Sequence, residues 1–290
     1  MAAPNVHTAM ILCAGLGTRL RPLTDWLAKP MVPIGDRPAV AHVADHIRAS
    51  GIARIVVNVH HRPEDLRAWA SSTEVAVSDE TELLGTAGGI AHASPRLGDG
   101  DALVWNGDIL ARPDLGALIA AHRSQATLAI TRRPAREGNV GVAADGRIVR
   151  LRKESFPALG EESSGGDFTG IHIVSAALRS ALPATGCIVG DVYLPALRRG
   201  ARLDAYVLDG SFTDVGSLSA YVEANRAWLG DRREWAAPDA SIEAPITGSI
   251  VGAGARITAP ALSCVVWPGA TVREPVTNAV VTPHGVVRVA

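Results

Sequence analysis

The chain is short of cysteine, of surplus charge and of long apolar runs. Its 290 residues hold three cysteines, Cys13, Cys187 and Cys264, spread far apart and without a C-x-x-C pair. That spacing excludes a small zinc-binding module and a disulfide framework, and an odd, sparse count fits a reducing compartment. The formal net charge is −1, so no global basic field argues for nucleic acid as a partner. No apolar stretch approaches the length of a membrane span. Met1 to Thr8 lack a basic region followed by an apolar run, so no secretory signal is read there. A cytoplasmic protein is expected. Hydrophobic residues make up 47% and charged residues 20%, a balance that supports a packed core and excludes general disorder.

Along the chain, short apolar runs alternate with helical patterns. Ala9 to Cys13 reads as a buried strand, followed by the glycine-rich loop Ala14–Gly15–Leu16–Gly17–Thr18–Arg19. Arg21 to Pro38 is punctuated by proline and too broken for a long helix. Residues 39–50 carry helical spacing and Gly51 stops it. Strands are then expected at 54–58, 74–78, 102–105 and 127–131, and helices at 63–71, 86–93 and 113–124. This rhythm predicts a Rossmann-like α/β fold with a mixed, mostly parallel sheet and helices on both faces. Further on, Asp145–Gly146 marks a hairpin and Gly160 to Asp167 reads as a polar loop. Phe168 to Val174 and Arg202 to Leu208 read as strands, and residues 191–199 and 217–229 as helices. From about Pro238 the texture changes. Ile242, Ile250, Ile257, Val265 and Val272 recur among Gly, Ala, Ser and Pro, which predicts a short stacked coil of the left-handed β-helix type. The expected division is 1–235 for an α/β domain and 236–290 for the coil. Trp235 and Trp267 are read as packing the coil or a contact between copies, so a homo-oligomer is among the states the sequence allows.

Several residues carry chemistry. Gly15 and Gly17 let backbone N–H groups approach a phosphate, and Arg19 adds a planar fork for phosphate oxygens. The loop lacks the Gly-Lys-Ser/Thr of a P-loop, and Leu20 stands where a dinucleotide fingerprint needs its third glycine. A dehydrogenase is therefore excluded. In Lys29–Pro30, proline is expected to hold the lysine out of helical geometry, so that its charge projects toward an anion. Trp105–Asn106–Gly107–Asp108 closes a buried strand, and ligands gather at such carboxyl ends. Asp108 can hold Mg²⁺ there, and Asp214 is a candidate second carboxylate. Each feature also has a plainer explanation as a turn, a surface charge or a helix start. His60–His61 is read as a polar loop start, because no further ligands accompany it.

The features occur together in a definite order. Cys13–Ala14–Gly15–Leu16–Gly17–Thr18–Arg19–Leu20–Arg21–Pro22–Leu23–Thr24 comes first, then Lys29–Pro30–Met31–Val32–Pro33–Ile34. Leu84–Gly85–Thr86–Ala87–Gly88–Gly89, Asn106–Gly107–Asp108 and Thr213–Asp214–Val215–Gly216 follow. The series resembles the sugar-1-phosphate nucleotidyltransferase family over nearly the whole chain. Its coil is similar to that of the mannose-1-phosphate guanylyltransferases. The resemblance implies an enzyme that joins a nucleoside triphosphate to a sugar 1-phosphate and releases pyrophosphate, with Mg²⁺ as cofactor. It implies Arg19, Lys29 and Asp108 as catalytic residues and Asp108 and Asp214 as metal ligands. Leu12, Ala14, Gly15, Gly17, Thr18, Arg19, Glu82, Gly85, Thr86 and Gly88 would bind the nucleotide. Asn106, Gly141, Lys153, Gly170 and Asp191 would bind the sugar phosphate. The protein needs no nucleophile of its own, so Cys13 is read as a packing residue. Two departures bear on the substrates. Arg152–Lys153–Glu154 stands where the family often has Glu-Lys-Pro, which keeps the lysine and loses a glutamate that reads a sugar hydroxyl. Glu80 and Glu82 stand where thymidylyltransferases place a glutamine. A carboxylate can accept two hydrogen bonds from the donor edge of guanine, so GTP is expected ahead of UTP. The alternatives are a uridylyltransferase for a hexose or amino-sugar 1-phosphate, or a non-catalytic sugar-nucleotide-binding subunit.

Overall fold

The computed structural model describes residues 6–210 and 212–289, so the reading of Met1 to Thr8 lies outside the described residues as far as Asn5. The chain forms two compact units. One comprises residues 1–15 and 43–212, and the other 16–42 and 213–290. The glycine-rich loop thus contributes to both, with the change falling after Gly15.

The first unit is built on a seven-stranded sheet. Its order is Asp204–Val207, Ala126–Ile130, Phe168–Val174, Asp101–Asn106, Val6–Leu12, Arg54–Val59, Ala76–Asp79. Phe168–Val174 runs antiparallel to both of its neighbours, and the other pairings are parallel. The central strands are nearly continuous apolar runs because both of their faces are covered. Met10, Ile11, Val56, Leu103, Val104 and Trp105 are fully enclosed. Helix Gly85–Leu97 packs on strands Val6–Leu12 and Arg54–Val59. Its buried face is Ala87, Gly88, Gly89, Ile90 and Ala93, and such small residues let the helix approach the sheet closely. Helix Leu115–Ala121 starts where the Asp114 carboxyl accepts Ala117 N–H at 2.9 Å, an ordinary side-chain cap.

A smaller four-stranded sheet joins Glu154–Ser155, Ile148–Leu151, Val140–Val142 and Ser164–Gly166 in that order. The hairpin expected at Asp145–Gly146 joins two of these strands. The loop expected over Gly160 to Asp167 instead contributes the strand Ser164–Gly166. Glycine serves there for close approach and not for looseness: a Cβ on Gly165 would lie 2.3 Å from Glu137 O. The helix expected over 191–199 begins earlier, as a wide turn over Ile188–Tyr193, and continues as Leu194–Arg198.

The second unit stacks short parallel strands. Trp235–Ala236, Ile250–Val251, Val265–Val266 and Ala279–Thr282 form one row, and Ser241–Ile242, Arg256–Ile257 and Thr271–Val272 another. Ala261–Leu262 and Val276–Thr277 form the third. One turn takes 15 residues, as Cys264 N–H donating to Ser249 Oγ one rung back illustrates. The alternating seven- and eight-residue spacing in the sequence therefore samples two rows of each turn, and the third row escapes it. Val251, Ile257, Ala261, Val266, Val272 and Val276 fill the interior. The antiparallel strand Gly285–Arg288 pairs with Ala279–Thr282 of the last rung and forms the terminal strand of that row.

Helix Leu218–Leu229 belongs to this unit. Ser217 caps it by accepting Ala220 N–H at 3.2 Å. Tyr221 on this helix donates its hydroxyl proton to Pro33 O at 2.8 Å and accepts Trp267 Nε1–H at 2.9 Å. The Asn225 amide oxygen accepts Gly35 N–H at 2.9 Å. The coil, the helix and the proline-rich segment are therefore tied into one body. Both tryptophans pack within it: Trp267 lies edge-on to Trp26, and Trp235 edge-on to Trp228.

Candidate active site

In the second unit, the chain after Gly15 turns tightly at Gly17, whose φ is 64°. Its carbonyl accepts Thr24 Oγ1–H at 2.9 Å. A Cβ on Gly17 would lie 2.8 Å from Thr24 Cγ2 and 3.0 Å from Lys29 Cβ, so the bare glycine is what lets the loop rest against the lysine stem. Lys29 opens a three-residue 3₁₀ turn, Lys29–Met31. This differs from the expectation that Pro30 would keep it out of helical geometry. A proline early in a single turn removes an N–H that would have had no partner anyway.

Strand Phe212–Asp214 brings Asp214 to the same place. Arg19 Nη2 lies 3.7 Å from Asp214 Oδ2, and Lys29 Nζ lies 3.8 Å from Asp214 Oδ1. Lys29 is mostly enclosed, with 12% of its side chain exposed, whereas Arg19 is 70% exposed. Loose, solvent-screened pairs of this kind contribute only about 0–1 kcal/mol to stability. Their effect is local: two cations and one carboxylate stand together beside a glycine turn. Gly216 completes the arrangement, because a Cβ there would come within 2.8 Å of Asp214 Oδ1 and 2.9 Å of Arg19 Nη2.

In the first unit, Leu12 and Asn106 end neighbouring parallel strands in register. Gly107 N–H donates to Leu12 O at 2.9 Å, and a Cβ on Gly107 would lie 2.9 Å from Cys13 Sγ. Asp108 follows at once. The Cys13 thiol is pushed well above its ordinary pKa, first by burial and then by the nearby Asp108 charge. It stays protonated, as a packing residue should. Ala14 is buried, while nothing lies within 4 Å of a Cβ placed on Gly15, so packing does not demand glycine there.

Asn58 was not singled out from the sequence. It lies within an apolar strand and is 3% exposed. Its amide oxygen accepts Cys13 N–H at 2.7 Å, and its Nδ2 donates to Glu80 Oε1 at 2.6 Å. Glu80 Oε2 in turn accepts Leu84 N–H at 3.3 Å. This relay ties the start of the glycine loop to the segment that begins helix Gly85–Leu97. It also engages Glu80 internally, so of the two carboxyl groups considered for guanine only Glu82, which is exposed, remains. A polar residue inside an otherwise apolar strand was the available signal.

The remaining expected residues have definite surroundings. Gly85, with φ 74°, and Gly88 pack on the backbone of residues 184–186, and Thr86 Oγ1 accepts Ile188 N–H at 2.7 Å. Close packing thus accounts for both glycines. Gly170, with φ 80°, makes room for Asn106, since a Cβ there would lie 2.5 Å from Asn106 Nδ2. Gly141 faces Glu162, which is bonded to Arg150 at 2.8 Å. The Arg150 guanidinium hydrogen-bonded to Glu162 holds that carboxyl below its usual range. The Asp191 carboxyl accepts Cys187 N–H at 2.7 Å and so serves its own turn. Lys153 lines a cavity of about 770 Å³.

Asp108 in the first unit and Asp214 in the second are each hard oxygen donors of the kind a divalent cation takes, and among the described residues no cluster of three or more His, Cys, Asp or Glu could cage a metal alone. Magnesium typically takes one or two carboxylates and completes its shell with phosphates and water.

Comparison with known proteins decides the family. Residues 8–230 match the nucleotidyl transferase family. The chain belongs to that family. Among relatives, a rice protein (Oryza sativa subsp. japonica) named probable mannose-1-phosphate guanylyltransferase 3 is 28% identical over 84% of this chain and 70% of its own length. The mannose-1-phosphate guanyltransferase of Schizosaccharomyces pombe is 29% identical over 84% of this chain and 69% of its own. The crystal structure of HddC from Yersinia pseudotuberculosis complexed with GMP-PN shares the fold, with a TM-score of 0.64 at 23% identity. It covers 77% of this chain and 99% of that one. As a family member of the sugar-1-phosphate type, the chain is an enzyme whose substrates are a nucleoside triphosphate and a sugar phosphate, and the family generally uses a divalent metal. Among the described residues no helix is long and apolar enough to cross a membrane.

Proposed function

We propose that the chain transfers a guanylyl group from GTP to mannose 1-phosphate, yielding GDP-mannose and pyrophosphate, in the cytoplasm and with Mg²⁺. The observation that carries the reading is the cluster of Arg19, Lys29 and Asp214 beside the Gly17 turn. The names of the relatives support the guanine base and the mannose acceptor.

Leu12, Ala14, Gly15, Gly17 and Thr18 line the path of the triphosphate with backbone. Arg19 and Lys29 bind its oxygens and stabilise charge on the transferring phosphoryl group. Glu82 accepts from the guanine edge, and Gly85, Thr86 and Gly88 shape the base site. Lys153 binds the phosphate of the sugar, and Asn106, Gly141, Gly170 and Asp191 border the sugar ring. Asp108 and Asp214 would hold Mg²⁺, which neutralises phosphate charge when bound. A sugar-phosphate oxygen attacks the α-phosphorus in line and pyrophosphate leaves. The protein contributes alignment and charge and offers no nucleophile. Residues 1–235 are the catalytic domain in this reading, and 236–290 the appended coil.

The test is pyrophosphate release with Mg²⁺, each nucleoside triphosphate and mannose 1-phosphate. GTP should give the highest kcat/KM. Asp108→Asn should keep the melting temperature and lose turnover. Undiminished turnover by that variant would remove Asp108 from the site. No pyrophosphate from any pair would leave a sugar-nucleotide-binding regulatory protein.

A further inference from the structure

The proposed sugar-phosphate half of the site contains one cation more than a single phosphate requires. Arg152 and Lys153 form the turn between the antiparallel strands Ile148–Leu151 and Glu154–Ser155. Arg152 has φ 56°, a left-handed conformation that a non-glycine residue seldom holds. Its N–H donates to Asn139 O at 2.6 Å, which fixes the turn. Its Nη2 donates to Cys187 Sγ at 3.4 Å, and its Nη1 lies 3.5 Å from where a Cβ on Gly190 would stand. The guanidinium is thus laid along the 187–190 turn.

Arg152 and Lys153 line the cavity of about 770 Å³ together with Gly138, Asn139, Leu151 and Leu194. One carboxyl group shares that wall, Glu154, and it is taken by Arg198, which donates to it at 2.7 and 2.6 Å. Among the described residues, neither Arg152 nor Lys153 forms an ion pair with a carboxylate. The cavity therefore presents two cations with no internal counter-charge. Cys187 feels the same field. Burial pushes its thiol up, but the Gly190 and Val189 N–H groups and Arg152 outweigh burial and bring it below its usual value.

We propose that Arg152 selects a sugar 1-phosphate carrying a second anionic group on the ring, a carboxylate or a further phosphate, so that the guanylyltransferase reading is kept but an acidic sugar replaces the neutral mannose 1-phosphate named above as the preferred acceptor. This rests on the proposed assignment of Lys153 to the first phosphate. A guanidinium offers a planar fork that matches carboxylate and phosphate oxygens. Arg152 is exposed, and a neutral hydroxyl gives its guanidinium only a weaker hydrogen bond, without the charge assistance an anion supplies.

The experiment measures kcat/KM for pyrophosphate release with GTP, Mg²⁺ and three acceptors: mannose 1-phosphate, mannuronic acid 1-phosphate and mannose 1,6-bisphosphate. At least one acidic sugar should exceed the neutral one by about tenfold or more, the size of a charge-assisted hydrogen bond, and whichever does so identifies the group. Arg152→Gln should bring the acidic-to-neutral ratio close to one, and Arg152→Lys should keep part of it. A merely structural role would lower all acceptors in proportion and leave the ratio unchanged in Arg152→Gln, which overturns the proposal. Equal or better use of mannose 1-phosphate by the native enzyme also overturns it, while leaving the guanylyltransferase reading intact. Failure of all three acceptors with every nucleoside triphosphate would end that reading, and this proposal with it.

Discussion

Removing the Asn58 side chain should weaken the first unit far more than one surface hydrogen bond would. Asn58→Ala strands two buried partners. Cys13 N–H loses its acceptor at 2.7 Å, and Glu80 Oε1 loses its donor at 2.6 Å. Cys13 and Glu80 are 3% and 6% exposed, so solvent replaces these partners poorly. Each stranded buried group costs roughly 1–3 kcal/mol, which makes about 4 kcal/mol for the pair. For a unit of this size that corresponds to a fall of roughly 8–16 °C in Tm. The assay is calorimetry or circular dichroism on Asn58→Ala, Glu80→Ala and the double variant. The double variant should lose less than the sum of the single losses, because removing both partners leaves neither stranded on the other's account. Turnover at low temperature, where all variants are folded, should also drop, since the relay ties the start of the glycine loop to Leu84 N–H. A fall of less than about 2 °C for Asn58→Ala, against the roughly 8–16 °C worked out above, or strict additivity in the cycle, would refute the reasoning.

Two further outcomes are expected. Gly17→Ala should place a Cβ against Thr24 and Lys29 at a φ of 64°; the left-handed strain alone costs about 1–2 kcal/mol, and displacement of Lys29 should raise the KM for the triphosphate ~10-fold or more, as initial-rate kinetics would show. Buried His172 has its pKa pulled down by burial to about 3, from 6.5. The unfolded chain therefore binds a proton first as pH falls, so the contribution is complete above about pH 6.5 and is lost progressively down to about 3, with a slope of about 1.4 kcal/mol per pH unit. Denaturant titrations of His172→Gln should show a flatter fall in that window than the native chain, and an unchanged slope would contradict it.

Much of this architecture could be read from local chemistry. Apolar runs ending in glycine or aspartate marked the strands Val6–Leu12 and Asp101–Asn106, because a strand covered on both faces has no polar alternation to hide it. Gly17, Lys29 and Asp214 were named from motif order, and the structure brings Lys29, Arg19 and Asp214 together. Other features depend on residues that meet only when the chain is folded. Ser164–Gly166 was hidden because its glycines serve close backbone approach, which reads locally as a loop. Asn58 and Glu80 are 22 residues apart and become partners only through adjacent strands.

By itself the sequence determined the strand and helix alternation, the stacked coil and the chemical types gathered at the strand ends, because each of these is written in the spacing of neighbouring residues. Tertiary structure alone decided that Glu80 is engaged internally, that a coil turn takes 15 residues, and that Arg152 stands uncompensated while Glu154 is matched by Arg198. Those outcomes turn on burial and on long-range pairing of charges and hydrogen bonds, and local spacing does not encode them.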